Sequence, residues 1–384
     1  MKTPALTADQ IRMLRMKAQR LLPERANVPA SPAQVIGEVF GVQAQELAAG
    51  HLAVRARSAG LTAADVERAR VEERSLLWTW CMRGTLHLIT TEDALWLIPF
   101  LGPVYIAADR RRFKQLGWEE ERAAAAIRLL SERLEERGEL TRPEISRLLE
   151  ENGFPFEGQA PVHLLYRAAL EGVLCAGPER GKQTAYVPFK SWAGQWMPLP
   201  RQEALAKLSR RYLEAYAPAA PQDFASWSGL KPGEAREAWQ LIEDQLAEVE
   251  INGQAASQKL SMLKSQLAWL SEISQAAPLV RLLPRYDTYL LGYASRDLAV
   301  DPAHAKRIHP GGGIIHAALL MDGRAVGTWK TRKRTKSLEV LVEPFERLPG
   351  GLLPLIEAEA ADIGHFLGVK AEAVIEDAAK APTS

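Results

Sequence analysis

The chain has 384 residues, of which 48 are basic and 47 acidic, for a formal net charge of +1. This length supports two to four domains with sizeable cores, while the balanced charge excludes a global electrostatic pull toward nucleic acid; any basic footprint has to be local. Cys81 and Cys175 lie too far apart to build a metal motif or a disulfide framework, the start lacks a signal-peptide core, and no apolar run reaches bilayer length, so a cytoplasmic protein without membrane contact is expected.

Ile11, Leu14, Ala18 and Leu21 recur at three- and four-residue spacing and predict an amphipathic helix. "SPAQVIGEVFG" then reads as a short helix with Ser31 as N-cap, Pro32 at the first helical position, Gln34 completing a capping box and Gly41 as the stop. A further helix, "QELAAGHLAVRAR", follows, and "SLLWTWCM" and "TLHLIT" flank "RG" as a strand-turn-strand.

The same order returns twice. The second copy has Ile127, Leu130 and Leu134, a stop at Gly138, the cap residues Thr141, Pro143 and Glu144, a stop at Gly153, and a hairpin in which "GPERGKQ" joins "VLCA" to "TAYVPF". The third has Leu205, Leu208, Tyr212 and Ala215, keeps Pro221 without a hydroxyl cap, stops at Gly229, and carries an Asn252-Gly253 hairpin turn. Helix, short helix, turn, helix, hairpin is the winged-helix pattern. The expectation is an α+β chain of three tandem winged-helix modules, at 1–118, 119–198 and 199–275. From Leu279 onward short apolar runs split by Gly, Pro and Asp-Gly predict an antiparallel β-barrel-like domain at 276–384, with "PLIEAEAADIGHFLG" as a helix before the last strand.

Two basic runs stand out. One holds Arg324, Lys330, Arg332, Lys333, Arg334 and Lys336 around Trp329; the other holds Arg110, Arg111, Arg112 and Lys114 after Tyr105. Each suits a phosphate backbone, and each also suits a solvated face. Arg83, Thr85 and His87 sit in the first wing, where alternation would put Thr85 and His87 on a polar face opposite Leu86 and Leu88. Asp287, Tyr289 and Arg296 read as a buried network or as part of a site, with Asp287 on the structural side. His304, His309 and His316 lack ligand spacing, so no metal is expected, and "HPGGGII" lacks the lysine of a P-loop.

Gln43 and Gln45 are the candidate chemical pair. Residues two apart in a helix do not face each other. A turn before the "QELAAGHLAVRAR" helix would let both amides converge; otherwise they are solvated polar residues or bind backbone.

"VQAQ", "RGTLHLI", "RLLPRYDTYLLGY", "HPGGGII" and "DGRAVGTWK", in this order, resemble the bacterial winged-helix DNA glycosylases of the AlkZ-like type over nearly the whole chain. Gln at position 45, where the sister YcaQ-like branch has Asp, resembles the AlkZ-like branch; Ala44 is smaller than the bulky aliphatic residue usual between the two polar positions. The resemblance implies a monofunctional glycosylase that excises alkylated purines and unhooks interstrand crosslinks in double-stranded DNA, with Gln43 and Gln45 as the catalytic pair and no cofactor. A monomer associated with the nucleoid is expected, touching DNA through Arg83, Thr85, His87, Arg110, Arg111, Arg112, Tyr289, Arg296, Lys330, Arg332, Lys333 and Arg334. A crosslinked base cannot swing freely into a deep pocket, so an open groove is expected at the glutamines. The alternative is a non-catalytic winged-helix transcriptional regulator.

Overall fold

The computed structural model describes residues 3–24, 30–251, 258–273 and 278–376. The chain divides into two compact units: unit 1 is Met1–Val66 with Ala206–Ser384, and unit 2 is Glu67–Leu205. These bounds cut across the expected first module, separating its helices from its hairpin.

In chain order, β1 (Ala5–Leu6) leads to α1 (Ala8–Ala18), which Thr7 and Gln10 open with a capping box. The same device, made by Ser31 and Gln34, starts α2 (Pro32–Glu38). There follow β2 (Val42–Gln43), α3 (Leu47–Arg57) and α4 (Ala63–Val71). Strands β3 (Leu76–Trp80) and β4 (Leu86–Thr90) form the first hairpin, and α5 (Thr91–Gln115) runs on from it. In the second copy α6 (Glu120–Arg137) ends at Gly138 (φ 79), and β5 (Leu140–Thr141) precedes α7 (Arg142–Glu151), capped by Thr141 and Glu144. Helix α8 (Ala160–Leu170) leads to β6 (Leu174–Arg180) and β7 (Gln183–Pro188), then α9 (Phe189–Ala193). The second hairpin is longer than expected, because pairing continues to Arg180 and Gln183 and leaves a turn of two residues.

The third copy is α10 (Arg201–Tyr216), α11 (Pro221–Ser228), α12 (Pro232–Leu241), β8 (Leu246–Ile251) and β9 (Gln258–Leu263). Its expected Asn252-Gly253 turn lies outside the described residues, although the flanking strands pair antiparallel with Ile251 opposite Gln258. Then come α13 (Trp269–Glu272), β10 (Val280–Leu283), α14 (Thr288–Leu291), α15 (Ala305–Ile308), β11 (Ala318–Met321), β12 (Arg324–Lys333), β13 (Ser337–Pro344), α16 (Leu353–Leu367) and β14 (Lys370–Ile375). No helix among the described residues is long and apolar enough to cross a membrane.

Unit 1 contains two sheets. β8 pairs with β9 and, in parallel, with β1, so the chain's first strand is held by its third hairpin. Strands β10 to β14 form an open half-barrel in sequential order. The expectation of a wholly antiparallel domain needs correcting here: β13 and β14 are parallel, Ser337 opposite Lys370 through Val342 opposite Ile375. Helix α16 between them supplies the crossover that a parallel pair requires. Its buried face, Ile356, Ala360 and Ile363, packs with Leu282, Leu319, Val340 and Val342 in one core.

In unit 2 the strands run in the order β4-β3-β6-β7-β5. The expected first and second wings are thus one sheet, joined where Trp78 pairs with Ala176. This contact places β6 beside the outer side of β3, so that β3 is not an edge strand of the sheet.

Candidate functional site

The glutamine segment begins with a bent helix end. After α2, Phe40 (φ 56) and Gly41 (φ 83) both take left-handed backbone, and Gly41 N–H donates to Ile36 O at 2.9 Å. Phe40 is a costly residue in that conformation, and contacts hold it there: its ring packs on Trp227 at 5.6 Å and lies under the Arg211 guanidinium at 4.6 Å. Arg211 also donates to Gly37 O at 2.6 Å, so one arginine ties down both sides of the bend.

Beyond the bend Val42 and Gln43, expected as a turn, are extended, and the chain bends again at Gln45 and Glu46. Val42 and Gln43 form β2, Ala44 and Gln45 follow, and Glu46 is the N-cap residue of α3 without a side-chain cap bond. Gln43 is 7% exposed and Ala44 is fully buried, whereas Gln45 is exposed. A larger residue at position 44 would have to be taken up in the interior, since none of Ala44 reaches solvent. Next to Gln45, Glu46 is paired with Arg285, which also donates to Tyr286 Oη at 3.2 Å.

Two buried arginines fasten the far end of α3. Arg57 donates to both carboxylate oxygens of Asp287, at 2.8 and 2.7 Å, and to Gln19 Oε1 at 2.9 Å. Arg55 pairs with Glu359 at 2.8 Å and with Asp362 at 3.2 Å, and also donates to Leu282 O. Asp287 is therefore structural, as its sequence context indicated. Tyr289 is corrected: it is buried, its hydroxyl donates to Gly323 O at 2.8 Å, and it offers DNA no surface. Arg296 is half-buried, with Nε donating to Leu290 O at 3.0 Å.

The wing residues also divide. His87 is 1% exposed, with Nδ1 2.9 Å from Thr85 O; burial first, and Arg83 second, push its imidazole down to about 3. The expected polar face through His87 is thus a correction, since both sides of β4 are covered there. Thr85 Oγ1 donates to Met82 O at 3.1 Å and stabilises the turn. Arg83 is half-buried with φ 54 and lines a cavity in unit 2. Cys81 and Cys175 are buried free thiols raised by burial to about 12, which removes them as nucleophiles at neutral pH.

Of the basic runs, Arg110, Arg111 and Arg112 are exposed on α5, and Arg112 donates to Gln159 at 3.1 Å. In the β12–β13 hairpin, cross-strand acids hold most of the cations. Lys330 pairs with Glu343, and Arg332 and Arg334 share Glu339 at 2.6 and 2.7 Å. Lys333 and Lys336 are exposed, with no acidic partner among the described residues.

The cavity in unit 2 contains groups that sequence reasoning passed over: Trp80, Asp109, His163 and Tyr166 join Arg83 and Tyr105 there. Two signals were present. Tyr105 and Asp109 are four apart on α5, and His163 and Tyr166 three apart on α8, so each pair shares a helix face.

The fold and the glutamine segment define a mixed α+β protein whose candidate site presents neutral amides at the start of a helix, next to one ion pair. The chain belongs to the AlkZ-like DNA glycosylase family, whose sequence model, described as "DNA glycosylase AlkZ-like", matches residues 36–366. It is similar to a protein of Streptomyces sahachiroi named interstrand DNA cross-link repair glycosylase, with 31% identity over 385 residues, covering 94% of this chain and 96% of that one. The solved structure of Streptomyces sahachiroi DNA glycosylase AlkZ matches with a TM-score of 0.76 at 27% identity, covering 97% of this chain and 100% of that chain.

Proposed function

We propose that this chain is a monofunctional DNA glycosylase that hydrolyses the N-glycosidic bond of cationic alkylated purines, N7-alkylguanine and N3-alkyladenine, and unhooks interstrand crosslinks. The observation that carries the reading is the end-to-end likeness to a protein named interstrand DNA cross-link repair glycosylase, at 31% identity across 94% of this chain.

The chemistry fits weak groups. An alkylated purine already carries positive charge, so it departs with the electrons of the C1′–N bond and becomes neutral. Water adds to C1′ and loses its proton to solvent, leaving a free base and an abasic sugar. Such a reaction asks for an oriented water and a polar surround for the oxocarbenium-like centre, with no metal or cofactor. In this reading Gln43 and Gln45 supply both through their amides. The exposure of Gln45 supports an open presentation to a base that is tied to both strands, with Gln43, 7% exposed, before it in the chain.

The three helix-and-hairpin sets are read as winged helices that bring a monomer onto double-stranded DNA. Arg83, Thr85, Arg110, Arg111, Arg112, Arg296, Lys330, Arg332, Lys333 and Arg334 are the proposed contacts; His87 and Tyr289, both buried, are left out of the set. A regulator on the same scaffold would bind undamaged duplex and release nothing. The test is incubation with duplexes carrying N7-methylguanine or one defined interstrand crosslink, scoring released base and heat-labile abasic sites. Gln43→Ala and Gln45→Ala are each expected to slow release by about 100-fold. Absence of release by the wild type on every labile alkylpurine would refute the function, and undiminished release by both variants would refute the residue assignment.

A further inference from the structure

A cavity of about 390 Å3 opens in unit 2, lined by residues of α5 and α8 and of the β3–β4 hairpin. This is within the span of sites that hold a small organic ligand, about 300–1,000 Å3. Trp80, Tyr105 and Tyr166 give it aromatic walls, with Trp80 edge-on to Tyr166 at 6.3 Å.

Its polar groups orient one another. His163 Nδ1 lies 2.8 Å from Asp109 Oδ2, which places the proton on Nδ1 and leaves Nε2 without a protein partner among the described residues. The Tyr166 hydroxyl also makes no hydrogen bond among the described residues, and burial pushes its ionisation to higher pH, so it remains a donor. At the rim, Arg83 and Gly84 both take left-handed backbone, φ 54 and 67. The Arg83 backbone hydrogen-bonds the Tyr105 hydroxyl, and Gly84 lies so close to Tyr166 that a Cβ would be 2.5 Å from its oxygen. A non-glycine residue held in this conformation costs about 1–3 kcal/mol, and such strain gathers where a side chain has to be aimed. Arg112 lies one helical turn from Asp109 on α5, and Arg110 and Arg111 are exposed between them.

We propose that this cavity is a binding site for a single unstacked nucleotide. The base is enclosed by the rings of Trp80, Tyr105 and Tyr166 and hydrogen-bonded along its edge by His163 Nε2 and Tyr166 Oη. Arg83 takes the phosphate, and the arginines of α5 receive the flanking phosphodiesters. Flat aromatic walls with one convergent donor–acceptor edge suit a heterocycle, and guanidinium groups at the rim suit its phosphates. The inference rests on the glycosylase reading only for the source of the nucleotide, a base displaced in duplex DNA.

The test uses undamaged DNA and the full chain, so glycosylase activity does not enter. A fluorescein-labelled duplex with a single 2-aminopurine bulge is compared with the same duplex fully paired, and affinities are read by anisotropy. The wild type is expected to prefer the bulged duplex by about tenfold, the worth of enclosing one base. Tyr166→Phe, which removes only a hydroxyl, and His163→Ala are each expected to bring the ratio toward one. A wild-type ratio near one overturns the proposal, as does a ratio unchanged by both variants.

Discussion

Removing the carboxylate of Asp287 tests how α3 is held. Arg57 and Asp287 are both fully shielded from solvent, joined by two N–H···O bonds, and Asp287 also accepts from Tyr289 N at 2.9 Å as the cap of α14. Asp287→Ala leaves a dry guanidinium with Gln19 Oε1, Thr288 Oγ1 and Ala53 O as its remaining acceptors. Breaking one side of a buried pair costs about 3–5 kcal/mol, and losing a cap about 1 kcal/mol more. For a unit of this size, 1 kcal/mol moves the melting midpoint by about 2–4 °C, so a fall of about 8–24 °C is expected. Because two compact units can blur one global curve, hydrogen exchange of α3 and α14 peptides is the better readout, with protection lost there first. The double variant Arg57→Met/Asp287→Leu removes both charges and is expected to regain most of the loss. A cost below about 1 kcal/mol for Asp287→Ala, or a double variant no better than the single, would refute the reasoning.

In the basic hairpin, replacing Arg332, Lys333 and Arg334 with Ala is expected to weaken binding equally on damaged and undamaged duplex, reducing the salt slope by up to about 0.9 per lost phosphate contact. Arg334 and Arg332 hold the Glu339 carboxyl below its usual range, so Glu339→Gln releases both and is expected to tighten binding; weaker binding would show that the pairs position the arginines. His87 is held down to about 3 and is charged only in the unfolded chain between that value and its ordinary 6.5. The unfolded state therefore takes up the extra proton, and stability present above pH 6.5 is lost as pH falls toward 3, with a slope of up to about 1.4 kcal/mol per pH unit. His87→Phe is expected to flatten that part of a pH–stability curve, and an identical curve would contradict the burial argument. Ala44→Leu adds bulk at a fully buried position, so a cost of about 1–3 kcal/mol is expected by thermal denaturation, against no change if the segment can move outward.

Features that depend on neighbouring residues were legible from the chain. Ser31, Gln34, Thr141 and Glu144 cap their helices as their spacing indicates, because a cap needs only three residues of context. Gly41, Gly138, Gly153 and Gly229 all take positive φ at helix ends, for the same reason. What depended on distant partners was not legible. Nothing local distinguishes a strand that ends a hairpin from one that goes on to pair with Ala176, as Trp78 does. Arg55, Arg57 and Arg70 sit in helices where arginine ordinarily faces water, yet all three are buried, because carboxylates and carbonyls more than a hundred residues away complete their bonds. His87 read as exposed because alternation predicts only that one side differs from the other, and here both are covered. The glutamine segment was expected to turn at Val42 and Gln43, which are strand, and it bends at Gln45 and Glu46 instead; its place between α2 and α3 was readable, its backbone was not.

The division of the chain sets an order of events during synthesis. Residues 67–205 form one continuous compact unit, whereas the part that holds Gln43 and Gln45 has partners such as Asp287 and Glu359 far along the chain. At ribosomal speeds of about 5–20 residues per second, those partners emerge roughly 15–60 seconds after the glutamines do. For that interval α3 carries cations with no counter-charge and cannot close. The segment made among the first therefore has its buried counter-charges supplied among the last, so a chain stalled before Asp287 would carry the glutamines without the carboxylate that fastens their helix.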